Sequence, residues 1–459
     1  MYSLFTKNFG ITNAKNFEQF ISGSFANTYV CIGRNTTWAN NDTTPAAVDT
    51  ANTFYELWDR MIGLKKITNA DINLIIPRID WTSGTVYVEY TQDTEIFKQN
   101  NEDDIEYINK FYVRNNRDQV FKCLFNNGGI QSTVMPELSL GGQLPENPYI
   151  QTGDGYKWKY MYTIPSGLKQ KFFTSQFMPV VEEPIVYNNA VNGRLDIIKI
   201  VNAGAGFNNN ANSTSLNILA VSGNGANANI TARILTSANA NSAYIADVNV
   251  LDGGSNYTKA SITISDPLKI GGTANANLIP VIGPPGGHGS SVVAELGASS
   301  IMISVSFNAD EGGVLPVDVV DQGGFRQISI IKDPLLANSA YATGSVYRAT
   351  TKYNLTLPSK NFQHKEIVYV GSSLSSATFT GLVEHFDSGF NILYLNNLTG
   401  SVEPPAAITG ATSGAVATIL TIAEPDVKRY TGEALYIENR SEVVRSLIES
   451  QQLKLTLRF

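Results

Sequence analysis

With 459 residues the chain exceeds one ordinary core, and about two to four domains are expected. Charged residues make up 16% against a usual ~25%, hydrophobic residues 43%, and the formal net charge is -7. The acidic balance gives no broad basic footprint for a nucleic-acid partner, and with no run of 18 apolar residues no transmembrane helix and no membrane insertion are expected.

The opening MYSLFTKNFG has no charged stretch followed by an apolar one, so no secretory leader is expected. NAKNFEQFIS places Phe17, Phe20 and Ile21 at helical spacing, with Gly23 as a stop. TYVCIG (28–33) reads as a buried strand. Phe54, Leu57, Trp58, Met61 and Ile62 form the clearest helical stripe. Thr53 and Glu56 have capping-box spacing, and Gly63 suits a C-terminal stop. NLIIPRIDW, TVYVEY, FYVRN, VFKCLF and KWKYMYTIP read as strands, with Pro77 marking an edge or bend. Cys31 and Cys123 sit in apolar strands and are read as buried free thiols.

From about residue 195 the composition shifts to Asn, Ala, Gly and Ser, and a repeat emerges. IKIVNAGAGF (198–207) returns as VNVLDGGSNY fifty positions later, and GANANI (225–230) as TANANL forty-eight later. Each copy predicts a strand, a Gly turn ending in an aromatic, a second strand (SLNILAV or SITIS) and a third (ITARIL or LIPVI). GPPGGHGS (283–290) punctuates the chain, ISVSFNA reads as a strand, and GGFRQISIIKDPL as another. In the latter, Ile328 and Ile330 share one face, Gln327, Ser329 and Ile331 the other, and Pro334 ends the pairing. A second echo relates VGSSLSSATFTGLV (370–383) to TGATSGAVATILTI (409–422), predicting a small barrel or sandwich with FNILYLNNLTG between them. The end offers a strand ALYIEN, a short helix SEVVRSLIES and an alternating strand with Leu453, Leu455, Leu457 and Phe459 on one face.

These elements predict a mainly β chain with a few helices and two small inserted β domains. The core takes 1–194, 286–349 and 428–459, and the insertions take 195–285 and 350–427.

A search for chemistry finds little. His288, His364 and His385 lack HExxH or zinc-ligand spacing, and no Ser stands in GxSxG. GPPGGHGS lacks the GK[ST] ending of a phosphate loop, and His288 is read as a loop residue rather than a ligand or base. Asp154 between Gly153 and Gly155 is read as a turn residue rather than a calcium ligand, and the acidic run 102–106 as a solvated loop. No catalytic residue, cofactor, metal or small-molecule substrate is expected.

Four segments carry a resemblance. IPRIDW (76–81), GDGYKWKYMYTIP (153–165), GFRQISIIKDPL (324–335) and TGEALYIENR (431–440) together resemble the baseplate wedge protein family of T-even-type contractile-tailed bacteriophages. The resembling residues include Pro77, Arg78, Asp80, Trp81, Gly153, Asp154, Gly155, Tyr156, Trp158, Gly324, Phe325, Arg326, Gln327, Gly432, Glu433, Tyr436, Glu438, Asn439 and Arg440. They are candidates for core or interface positions, and Arg326 suits either a core-edge ion pair or a subunit contact. The resemblance covers roughly 10–190, 290–340 and 428–459 and leaves the two insertions outside it. It implies a multi-layer β-sandwich core with a few peripheral helices, discontinuous in sequence, in a non-enzymatic structural protein of the virion, made in the host bacterial cytoplasm and placed in the tail baseplate. Its implied partners are a second copy of itself in a homodimer and other wedge subunits, including those that carry tail fibres. The alternative is a host-recognition or carbohydrate-binding tail protein acting through the inserted β domains.

Overall fold

The structure is a computed structural model that describes residues 6–23, 27–39, 43–97, 109–138, 149–207, 217–236, 243–264, 276–316, 323–446 and 448–459. Strand accounts for 45% and helix for 12%, so the chain is mainly β with few helices. It divides into two compact units. One comprises Met1–Ala14, Leu74–Ile301 and Leu457–Phe459, the other Lys15–Asn73 and Met302–Thr456.

The second unit holds a five-stranded sheet in the order Val346–Arg348, Met61–Lys66, Thr28–Gly33, Gly323–Lys332, Glu433–Arg445. GGFRQISIIK is thus an interior strand, paired on one side with Thr28–Gly33 and on the other with Glu433–Arg445. Phe325 to Ile331 are all buried, so both faces of this strand are covered. Ser300–Phe307 and Gln451–Arg458 run side by side, tied by Gln452 Nε2 donating to Ser304 Oγ at 3.0 Å. Leu453 and Leu455 are buried as the alternation requires, but Phe459 lies beyond the strand and is exposed.

Two expected helices are corrected here. The central stripe forms a helix only over Ala51–Asp59; Met61 and Ile62 belong to the strand Met61–Lys66. The periodicity continues past Trp58, but strands on both sides of 61–66 offer ladder bonds that outweigh helical propensity. Gly63 is therefore a strand residue, where a Cβ would stand 2.2 Å from the Leu315 side chain. The cap is Thr50, whose hydroxyl accepts from Thr53 N–H at 3.2 Å; Glu56 instead accepts from Asn52 Nδ2 at 3.0 Å. Likewise SEVVR continues the strand Glu433–Arg445: Val443 and Arg445 pair with Phe325 and Gly323. Burial of Arg445 against the Pro316 and Ala309 carbonyls fixes that end. The N-terminal helix is present but longer than expected, Lys7–Ser22.

In the first unit, Tyr112–Arg114, Gln119–Phe125, Lys157–Thr163 and Ile150–Gln151 form a four-stranded sheet. Ile72–Pro77 pairs with Phe177–Pro179, and Pro77 is its last residue, as its missing N–H favours. TVYVEY is extended but lies outside a ladder, with Thr85 bridging to Ser132. Short helices Ser166–Phe172, Pro184–Asn188 and Val292–Leu296 had no sequence expectation.

The repeat of 198–278 has a direct structural meaning. Leu195–Asn202 pairs with Asn277–Ile282, Ala226–Thr236 with Ala243–Ser255, and Leu219–Gly223 with Ala260–Ile264. The first strand of each copy thus pairs with the third strand of the other, and the second strands pair together. The register obeys the same two-fold relation: Ile198 faces Pro280 as Val248 faces Ala232. The two turn aromatics match as well. Phe207 N–H donates to the Ala243 carbonyl and Tyr257 N–H to the Gly193 carbonyl, both at 3.2 Å. Phe207 and Tyr257 are buried in a core with Leu195, Ile245, Ile230 and Leu278. We call this region the half-barrel.

The second echo is part of a similar design. Thr351–Leu355, Ile392–Gly400, Phe379–Asp387, Ile367–Val370, Ala406–Gly410 and Val416–Ala423 pair in that order into a closed barrel. Here too two three-strand copies are related by a two-fold: Asn354 faces Thr421 as Asn396 faces Leu382. The half-barrel follows the same circuit, with Leu195–Asn202 beside Ala243–Ser255 and each second strand beside its own third strand. The barrel joins its sheet at a clamped neck. Arg348 N–H donates to Asp426 Oδ2 at 2.7 Å, and its guanidinium donates to the Glu424 carbonyl at 2.8 Å.

Candidate functional site

The four family-like segments converge in two clusters, one in each unit. In the first unit, Trp81 Nε1 donates to Ser132 Oγ at 3.1 Å, and Ser132 Oγ donates to Asp154 Oδ2 at 3.0 Å. IPRIDW and GDGYKWKY are thereby tied through a serine that neither contains. Asp154 Oδ2 also accepts from the Thr133 and Val134 amides at 2.8 and 2.9 Å, and Oδ1 from Thr152 Oγ1 and Tyr156 N–H. Burial opposes ionisation of Asp154, but the Thr152 hydroxyl and these amides outweigh it and hold the carboxyl below its ordinary range. Both oxygens are occupied by the protein's own donors, as a turn residue requires. Gly153 and Gly155 flank it in the turn. Tyr156 and Trp158 stack at 5.4 Å with Tyr87 edge-on, in the core of this sheet.

Arg78 and Asp80 lead into a second network of the same unit. Asp80 accepts from Arg78 Nε at 2.8 Å and from Arg114 Nε at 2.7 Å. Both guanidinium groups also lie over the Phe173 ring, at 4.6 and 4.8 Å. Burial raises the Asp80 carboxyl, but the two arginines overcome this and keep it low. Tyr112 OH donates to the Pro77 carbonyl at 2.8 Å.

In the second unit, GFRQ and GEALYIENR are neighbouring strands. Gln327 faces Asn439, and Gln327 Nε2 donates to Asn439 Oδ1 at 2.9 Å. Arg326 is buried and donates to both oxygens of Glu442, at 3.1 and 2.7 Å, and to the Asn35 carbonyl at 2.6 Å. Of the two roles open to Arg326, the structure displays the ion pair. Lys365, from the barrel, donates to Glu442 Oε1 at 2.8 Å, so one carboxylate joins sheet and barrel. Burial opposes its ionisation, yet Lys365 and Arg326 hold it below the ordinary value. Trp38 Nε1 donates to the Arg440 carbonyl at 2.9 Å, and Tyr436 OH to Glu438 Oε2 at 2.9 Å. Glu433 opens the strand opposite Lys332, Gly432 lies against the Lys332 carbonyl, and Gly324 and Phe325 are enclosed.

Ser132, Glu442 and Lys365 went unread because each links segments far apart in sequence. Two other buried charges did leave a signal: Lys122 lies inside the apolar run VFKCLF, and Glu295 inside VVAELG. Both are buried, together with His288. His364 and His385 occupy structural places in and beside the barrel, His364 Nδ1 lying 2.6 Å from the Glu384 carbonyl oxygen. Cys31 and Cys123 are buried free thiols, raised by burial. The acidic run 102–106 lies outside the described residues. Among the described residues no group of three or more His, Cys, Asp or Glu side chains could hold a metal ion. No helix among them is long and apolar enough to cross a membrane.

No family model matches this chain, and no curated protein matches it. The chemistry of the two clusters is that of framework contacts: saturated carboxylates, paired guanidinium groups and stacked aromatic rings.

Proposed function

We propose that the chain is a structural subunit of a contractile phage tail, a baseplate wedge protein that acts by assembly with a second copy and with other wedge subunits. The observation that carries this reading is the pairing of the four family-like segments. IPRIDW and GDGYKWKY meet as Trp81–Ser132–Asp154, and GFRQ meets GEALYIENR as Gln327–Asn439, with Arg326–Glu442 just beyond the segment's end, which is how a structural scaffold would use them. Buried, mutually satisfied contacts of this kind keep a subunit rigid, and a rigid subunit moves as a body when an assembly rearranges.

The test is electron microscopy of the particle that contains this chain. Six-fold density at the end of a contractile tail, labelled by an antibody to the chain, is the expected result; label elsewhere on the particle, or on none, overturns it. Light scattering of the purified chain is expected to give a dimer at micromolar concentration.

Host recognition through the inserted β modules is the second reading. It draws on Leu357 and Phe390, which are 81% and 78% exposed on the barrel's loops. Particles assembled with Phe390→Ser that adsorb normally to cells count against it.

A further inference from the structure

The half-barrel is joined to its unit by two adjacent crossings of the chain. Gly283 N–H donates to the Arg194 carbonyl at 3.0 Å, and Gly286 N–H donates to Asn192 Oδ1 at 2.9 Å. The returning segment is GPPGGHGS. Gly287 has φ +91° and lies so close to the outgoing chain that a Cβ would stand 2.3 Å from the Val191 carbonyl oxygen. The loop carries His288 inward, where it is 5% exposed.

Charged groups face His288 from several elements. Lys122 of the strand Gln119–Phe125 places Nζ 3.4 Å from His288 Nδ1 and 2.8 Å from Glu295 Oε2. Glu295 of the helix Val292–Leu296 has the same oxygen 3.2 Å from His288 Nδ1, and its Oε1 accepts from Gly289 N–H at 2.6 Å. Tyr90 meets the imidazole edge-on at 4.6 Å and also lies under the Lys122 ammonium at 4.5 Å. Asp196 of the strand Leu195–Asn202 acts on His288 through space, but it is paired with Arg194 at 3.0 Å. Lys159 of the strand Lys157–Thr163 has its Cε 3.6 Å from where a Gly289 Cβ would stand.

We propose that this cluster is a proton-operated latch: with His288 neutral it holds the 283–290 loop and closes the neck of the half-barrel, and protonation of His288 releases both. The reason is charge balance in an enclosed place. Glu295 is already matched by Lys122, and Asp196 by Arg194, with the Lys159 cation beside them. A protonated His288 adds a positive charge with no free carboxylate to meet it, and such a charge is costly where water is excluded.

Burial first, and Lys122 second, hold His288 below its ordinary value, with Glu295 and Asp196 only partly opposing them. A group depressed in the folded state stabilises it fully above the unfolded value of about 6.5 and loses that contribution as pH falls through the folded value. Glu295 is not the titrating group. Burial would raise it, but Lys122 and His288 bring it down to about 2, so it stays ionised throughout the window.

Hydrogen–deuterium exchange on the full chain tests the latch. Peptides covering 186–194 and 283–297 are expected to exchange faster, by up to about tenfold, at about pH 5.5 than at about pH 7.5, after correction for intrinsic rates. Peptides of the sheet strand 28–33 are expected to keep their protection. His288→Gln removes the titrating group and is expected to abolish the difference. Unchanged protection of the wild-type peptides in acid, or a difference that persists in His288→Gln, overturns the proposal. Should that variant fail to fold, imidazole NMR of the wild type decides. A His288 midpoint below about 6.5 supports the latch, and one at or above it sinks the idea.

Discussion

The half-barrel and the barrel use one strand circuit and differ in closure. Each is two copies of a three-strand unit related by a two-fold, with the first strand of one copy against the third of the other. In the barrel the second strands Ile367–Val370 and Ala406–Gly410 each bury an aliphatic residue completely, Val368 and Ile408. In the half-barrel the second strands Leu219–Gly223 and Ala260–Ile264 bury none; Val221 and Ile262 are only half-buried. A ring of strands closes when inward side chains fill its middle from every strand. Where one ribbon contributes little, it rests on the surface and the ring stays in separate ladders. The same topology therefore yields a closed barrel or a half-barrel according to a few side chains.

The two necks differ in the same spirit. The barrel neck is an arginine–aspartate clamp with Asp426 partly open to water, whereas the half-barrel neck is an enclosed Lys122–His288–Glu295 cluster. The largest expected effect follows from the enclosed one. Glu295→Gln leaves Lys122 buried without its carboxylate and is expected to cost about 3–5 kcal/mol in chemical denaturation. Ile408→Ala, in the filled barrel, is expected to cost about 2–4 kcal/mol, while its half-barrel counterpart Ile262→Ala costs about 1 kcal/mol or less. Equal losses at these two positions would break the account of closure given above. Glu442→Gln, which weakens the contact of the barrel's Lys365 with Arg326, is expected to cost about 1.5–3 kcal/mol. Arg348→Met at the barrel clamp is expected to cost about 1 kcal/mol, because Asp426 is partly open to water and can be solvated once its partner is gone.

Acid should separate the two modules further. Glu442 is depressed, so its contribution is full above the unfolded carboxylate value of about 4.3 and fades as pH falls through its lower folded value. The contact between barrel and sheet is thus expected to hold at about pH 5.5, where the half-barrel neck loosens. Exchange measurements on peptides covering 360–368 and 438–445, set beside those of the half-barrel neck, check this order.

Much of this organisation was legible in the sequence. The repeat offsets near 198 and 225 defined the half-barrel strands, because equal side-chain patterns bury equal faces. GGFRQISII read as a core strand from its alternation and its proline stop, and it forms the strand Gly323–Lys332. The candidate residues were picked out by resemblance, and their contacts were not legible. Arg326 could not be assigned without Glu442, 116 positions away, nor Trp81 linked to Asp154 without Ser132.

What the sequence determined by itself was local and periodic: the β-rich class, the two repeats, the turn at Asp154 and the buried thiols. Tertiary structure decided everything that depends on a competing partner. Met61 and Ile62 have helical spacing and become strand because ladders wait on both sides. SEVVR becomes strand because Gly323–Lys332 continues beside it. His288, a loop residue by sequence, becomes a buried ionisable group because the glycines around it let the loop fold against Val191 and carry the imidazole between Lys122 and Glu295. Periodicity is a property of one segment, whereas pairing, burial and charge balance are properties of the segments that meet it.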